Sequence, residues 1–124
     1  MTDIINENKE IKSLVGATPE ELAQRIFEVL EDKKGKDVKI IKVADKTIIA
    51  DYFVIANGNS GTHVKSLVDE VEYKLGLAGV SPARIEGREG KEWRVLDYSS
   101  VIVHVFDREA REFYNLDKLY SDFE

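Results

Sequence analysis

The sequence predicts an α/β domain: a five-stranded mixed β-sheet flanked by helices. Three observations predict it. A capped amphipathic helix precedes a run of β-branched residues. A continuous apolar strand, a long amphipathic helix and a further short strand then form a βαβ unit, whose strands should run parallel with a right-handed crossover. The last strands follow one another through short turns, the arrangement of an antiparallel meander. The length of 124 residues fits one domain. A chain of this size buries roughly two-thirds of the surface exposed when unfolded, enough to hold a core unaided.

Taken in order, residues 1–17 read as an N-terminal arm, mobile or a short helix, and residues 18–124 as the domain. Ile4, Ile11, Leu14 and Val15 recur at loosely helical spacing, but Gly16 and the polar start oppose a long helix. Thr18-Pro19-Glu20-Glu21 is a helix start: Thr18 can cap, Pro19 fits the first position and Glu21 completes a capping box. Leu22, Ile26, Val29 and Leu30 make its apolar stripe, and Gly35 stops it. Residues 38–43 (VKIIKV) form a strand, and Tyr52 to Ala56 lie in a second one, apolar throughout and so expected at the sheet centre. After the turn Gly58-Asn59-Ser60-Gly61, a helix over about 62–78 carries Val64, Leu67, Val68, Val71, Leu75 and Ala78 on one face, with Gly79 as its terminator. ARIEG is a short strand, Gly87 to Gly90 a turn, and residues 92–98 and 101–106 a hairpin joined by Ser99-Ser100. Asp107 can cap a last short helix through Tyr114, and Leu116, Leu119, Tyr120 and Phe123 continue at helical spacing.

Composition narrows the function. Acids outnumber bases by 24 to 18 for a net charge of −6, without a Lys/Arg run, which disfavours nucleic acid as the main source of affinity. An acidic protein can still reach a nucleic-acid machine by docking on one of its basic proteins. Cysteine is absent, which removes disulfides, thiolate chemistry and Cys-ligated zinc. The N-terminus lacks signal-peptide character and no apolar run reaches the ~20 residues of a membrane span, so a cytoplasmic protein is expected.

The candidate chemical motifs are weak. GNSGTH (58–63) lies between a strand and a helix, where free N–H groups attract anions, but it lacks the spacing and lysine of a P-loop. The plainer reading is a tight turn permitted by Gly58 and Gly61, with Ser60 or Thr62 capping the helix. A nucleotidyltransferase would need alternate carboxylates on one strand to hold magnesium, and Asp97 stands alone between Val95 and Ser99. His63 and His104 form no metal motif; His104, on a strand face with Ile102 and Phe106, reads as a partly buried, hydrogen-bonded side chain. No nucleophile–base arrangement is visible, so neither catalysis nor a cofactor is expected. EWRVLDY is more informative. Alternation places Trp93, Val95 and Asp97 on one face and Arg94, Leu96 and Tyr98 on the other, with Arg111, Phe113 and Tyr114 close in sequence. Aromatics and arginine are common interface anchors, but they also fill cores, and alternation cannot say which face meets solvent.

ADYFVIANGNSGTHVKSLVDEVEYKL followed by RIEGREGKEWRVLDYSSVIVHVFDREAREFYNLDKLY closely resembles the ribosomal silencing factor family, also called Iojap-like, over about residues 19–121. Asp-x-Phe-Val-Ile, Arg-x-Glu-Gly, Trp-x-x-x-Asp-Tyr, Val-His-Val-Phe and Phe-Tyr-x-Leu-x-x-Leu occur in the family's order, with Tyr120 where the family often has Trp. The resemblance implies a nucleotidyltransferase-like fold without the transferase active site. It implies binding to large-subunit ribosomal protein L-fourteen at the intersubunit face, obstruction of subunit joining, and repression of translation; organelle relatives act in ribosome assembly, and members often form homodimers. Carried over by motif, the partner surface should centre on Trp93, Asp97 and Tyr98, with His104, Arg111 and Tyr114 in support. The resemblance does not say which of these touch the partner and which shape the surface.

Overall fold

The computed structural model describes residues 12–87 and 93–121. Residues 1–11, most of the Gly87–Gly90 turn and the last three positions lie outside the described residues. Residues 12–17 form no helix; the Leu14 N–H donates to the Ala78 carbonyl at 2.9 Å.

Helix α1 spans Pro19–Asp32 and opens with the expected capping box: the Thr18 hydroxyl accepts from the Glu21 N–H, and the Glu21 carboxylate accepts from the Thr18 N–H. Its end differs in detail from the expectation. Lys34, with φ +66°, takes the left-handed position, and the N–H groups of Lys34 and Gly35 reach back to the carbonyls of Glu31 and Leu30. This is a Schellman closure one residue before the glycine. Gly35 still lets the chain pass close to the helix end, because a Cβ there would stand 3.0 Å from the Leu30 carbonyl oxygen.

The strands are β1 (Lys36–Lys42), β2 (Tyr52–Gly58), β3 (Arg84–Glu86), β4 (Trp93–Asp97) and β5 (Val101–Asp107). Helix α2 (Gly61–Leu77) joins β2 to β3, and α3 (Arg108–Tyr114) and α4 (Leu116–Ser121) follow β5. The sheet has five strands in the order β1-β2-β5-β4-β3 and is mixed, as predicted: β2 and β5 pair in parallel, and the other neighbours pair antiparallel. The expected βαβ unit is therefore split. β2 and β3 point the same way, but β5 and β4 lie between them, so the parallel partner of β2 is β5. Burial explains this order. VIVHVF is apolar on both faces and takes the centre, whereas β3 has three residues, exposed at both ends, and suits an edge. The hairpin turn is as expected, with Ser99 at φ +73° and its N–H held by the Asp97 carboxylate at 2.8 Å.

One sheet face carries Val54, Ala56, Leu96, Val101, Val103 and Val105 and packs under α1 and α2. The other carries Ile41, Phe53, Ile55, Ile102 and Phe106, with Trp93 and Val95 at its margin; Ala110 of α3 and Leu116 of α4 pack on it. The candidate site lies on this second face.

Candidate functional site

Register builds the site. Trp93 pairs with Phe106 and Val95 with His104 across the β4–β5 ladder, so Trp93 and His104 are diagonal neighbours on one face. The Trp93 indole Nε1–H donates to His104 Nδ1 at 3.1 Å. The acceptor role of Nδ1 puts the imidazole proton on Nε2, which is buried without a hydrogen-bond partner. His104 is 7% exposed and lies edge-on to Phe53, with ring centroids 4.6 Å apart. Burial pulls its pKa down to about 4, so the ring is neutral and serves as an acceptor for Trp93.

Helix α3 completes the cluster. The Asp107 carboxylate caps it by accepting from the Ala110 N–H at 2.8 Å, as the sequence predicted. Asn115, with φ +48°, ends it in the left-handed conformation. Tyr114 then lies 4.6 Å from the Trp93 ring and 6.1 Å from Phe106, centroid to centroid. Phe113 meets Tyr114 edge-on at 5.1 Å and is 81% exposed, while Tyr114 is 42% exposed. A seven-residue helix cannot turn two adjacent aromatics to the same core. Asp107, Glu109, Ala110, Phe113 and Tyr114 line a shallow concavity of about 340 Å³, which presents aromatic surface next to acids.

The remaining residues expected at the partner surface stand elsewhere. Asp97 shares the Trp93 face, but its carboxylate is engaged internally, by the Ser99 N–H and by Arg84 at 3.5 Å. Tyr98 does not join the cluster. It is 7% exposed on the opposite face, in the core under α1 and α2, where burial and then the charge of Glu72 push its phenol up. Arg111 points inward. Its guanidinium donates to both Asp117 oxygens at 3.2 and 2.7 Å, to the Asn57 side-chain oxygen at 2.9 Å and to the Lys36 carbonyl at 3.2 Å. Burial alone would raise the Asp117 carboxyl, but hydrogen bonding and charge from Arg111, helped by Lys39, hold it below its ordinary value. This network ties α3 and α4 to the ends of β1 and β2, and so fixes where Phe113 and Tyr114 stand.

Sequence reasoning named Phe113 beside Arg111 and Tyr114 but left it open between interface and core, and it did not single out Asn57. A signal existed for Asn57: one amide at the end of an apolar strand requires a buried partner, and Arg111 supplies it. The GNSG turn follows the plainer reading. Ser60 caps α2, and His63 accepts from the Asn59 N–H at 3.0 Å. A Cβ at Gly58 would crowd Val64, whereas one at Gly61 would meet nothing, so of the two only Gly58 sits in a tight place. Among the described residues no group of three His, Cys, Asp or Glu side chains could hold a metal, and no helix is long and apolar enough to cross a membrane.

The fold is that of a known class. Residues 16–124 match the family described as ribosomal silencing factor during starvation, and the chain belongs to that family. A ribosomal silencing factor from Halalkalibacterium halodurans is 35% identical over 103 residues, covering 83% of this chain and 88% of that one. The mouse protein named mitochondrial assembly of ribosomal large subunit protein 1 is 30% identical over 99 residues, 77% of this chain and 43% of its own length. A crystal structure from Chromobacterium violaceum superimposes with a TM-score of 0.80 at 33% identity, covering 84% of this chain and 87% of that one.

Proposed function

We propose that this chain binds the large ribosomal subunit through ribosomal protein L-fourteen, blocks association with the small subunit and so represses translation, making and breaking no covalent bond. The observation that carries the reading is the exposed Phe113 against Tyr114, which itself rests on Trp93, with Asp107 and Glu109 at the rim. Solvent-facing aromatics on a rigid base give a contact surface at low entropy cost, and the acids beside them suit a basic partner. Family membership supports a ribosomal target. On this reading Trp93, Tyr114 and Phe113 form the contact surface and Asp97 its margin. His104 supports Trp93 from beneath and Arg111 shapes the surface from within, whereas Tyr98 packs in the core on the other sheet face. The domain body then occupies space the small subunit needs, and repression depends on affinity and concentration alone. Self-association as a homodimer belongs to the same reading.

The second reading, a large-subunit assembly factor, draws on the name of the mouse relative. Both readings use one docking surface and differ in the particle preferred. The test is subunit joining in a purified system. Added protein should reduce the yield of joined ribosomes from finished subunits in proportion to its occupancy of large subunits. Unimpaired joining at full occupancy would remove the silencing reading and leave assembly.

A further inference from the structure

A second cavity lies apart from the aromatic surface. It holds about 610 Å³ and opens where β2 and β5 end. The carboxyl ends of parallel strands are where open α/β sheets commonly bind ligands, and 610 Å³ is within the usual range of about 300–1,000 Å³ for small-molecule sites. Its lining is unusual for such a site, because every described residue in it is polar or charged. Four cationic side chains face three carboxylates there, although the whole chain carries −6.

Local backbone devices build this lining. A bulge interrupts the β1–β2 ladder between Lys36 and Lys39, and Asp37 within it has φ +48°. A regular strand would send Lys36 and Asp37 to opposite faces; with the bulge, Lys36, Asp37 and Lys39 all line the cavity. Asn115, also at φ +48°, lines the other side. Asp and Asn enter the left-handed region more readily than other side-chain-bearing residues, which lets both positions hold these turns. In the floor, Arg111 and Asn57 are nearly fully buried and hydrogen-bonded to each other, so the base of the cavity is rigid. Lys36 and Arg108 have no ion-pair partner among the described residues, whereas Arg111 and Lys39 are paired with Asp117.

We propose that this cavity binds a small phosphorylated sugar, the ribose-phosphate part of a nucleotide included. The two unpaired cations, Lys36 and Arg108, suit a phosphate. The carboxylates of Asp37 and Glu112 can accept hydrogen bonds from sugar hydroxyls, which a bare anion lacks. Without an aromatic or aliphatic side chain in the described lining, a base or an apolar cofactor finds no surface to rest on. The proposal stands independently of the ribosomal reading, since neither Trp93 nor Tyr114 contributes to the cavity.

The test is thermal unfolding of the full chain titrated with ribose 5-phosphate, ribose, inorganic phosphate and ADP, repeated on the double variant Lys36→Gln, Arg108→Gln. Ribose 5-phosphate at a hundredfold excess over its Kd should raise Tm by about 5 °C or more. ADP should match it through the same sugar-phosphate element, and ribose or phosphate alone should fall well short. The double variant should unfold at the native Tm without ligand, because both side chains are unpaired, and should lose at least tenfold in affinity. Four outcomes overturn the proposal: no shift with any probe, equal shifts with phosphate and ribose 5-phosphate, a shift with ADP alone, or undiminished binding by a correctly folded double variant.

Discussion

His104 makes the stability of this domain depend on pH in a window where few other groups titrate. Its folded pKa of about 4 lies below the ordinary 6.5, because a cation is disfavoured in a pocket closed by Phe53, Phe106 and Trp93. Between these values the unfolded chain takes up a proton that the folded chain refuses. The contribution is therefore complete above about pH 6.5 and declines as pH falls toward 4. From pH 7 to pH 5 the loss integrates to about 2 kcal/mol, a substantial part of the 5–15 kcal/mol typical of a domain. Asp117, whose carboxyl is held low, loses its contribution only at still lower pH, as the pH falls through its depressed folded pKa. The assay is urea unfolding at pH 7 and pH 5 on the native chain and on His104→Asn. Asparagine keeps an acceptor near Nδ1 for the Trp93 indole but cannot be protonated. The native chain should lose about 2 kcal/mol more than the variant over this interval. Equal losses in the two proteins would refute the assignment of His104 as a buried neutral acceptor.

Three further outcomes follow from the backbone and the α3 anchor. Lys34→Gly should stabilise the domain by about 1 kcal/mol, read as a higher urea midpoint with unchanged slope, because Lys34 holds φ +66° at the end of α1. Gly87→Ala should destabilise by about 2 kcal/mol or more, since Gly87 has φ +78° and a Cβ there would collide with the Trp93 carbonyl oxygen. Arg111→Leu should cost about 2–3 kcal/mol in urea unfolding, because it strands the buried Asn57 amide and leaves the half-buried Asp117 carboxylate with Lys39 alone; a loss below 1 kcal/mol would show that α3 is held by other contacts.

Much of the fold was legible because local signals agreed. The Thr18–Glu21 capping box, the Gly79 terminator and the Asp107 cap each depend on residues within a few positions, and each is present. Strand order was less legible. It depends on which strand buries both faces, and in this chain β5 displaces β3 from the side of β2. The end of α1 was misplaced by one residue because a lysine occupies a conformation that the sequence rules assign to glycine. At the candidate site, alternation grouped Trp93 with Asp97 and His104 with Phe106 correctly. It could not show that Asp97 is tied to the Ser99 turn or that Tyr98 faces the helices. The inward role of Arg111 was not readable, because its partners Asn57 and Lys36 are more than fifty residues away.

The central claim is that the exposed aromatic pair on α3, backed by Trp93, docks the large ribosomal subunit. Co-sedimentation with separated subunits tests it most directly, comparing the native chain with the double variant Phe113→Ala, Tyr114→Ala. Phe113 is exposed but Tyr114 also packs on Trp93, so the variant's Tm is measured beside its binding, and a loss of binding by the folded variant is assigned to the surface. The native chain should pellet with large subunits and not with small ones, and the variant should bind about 30-fold more weakly, the loss of an anchor worth about 2 kcal/mol. Equal binding of the native chain to both subunits, or undiminished large-subunit binding by the folded variant, would contradict the account.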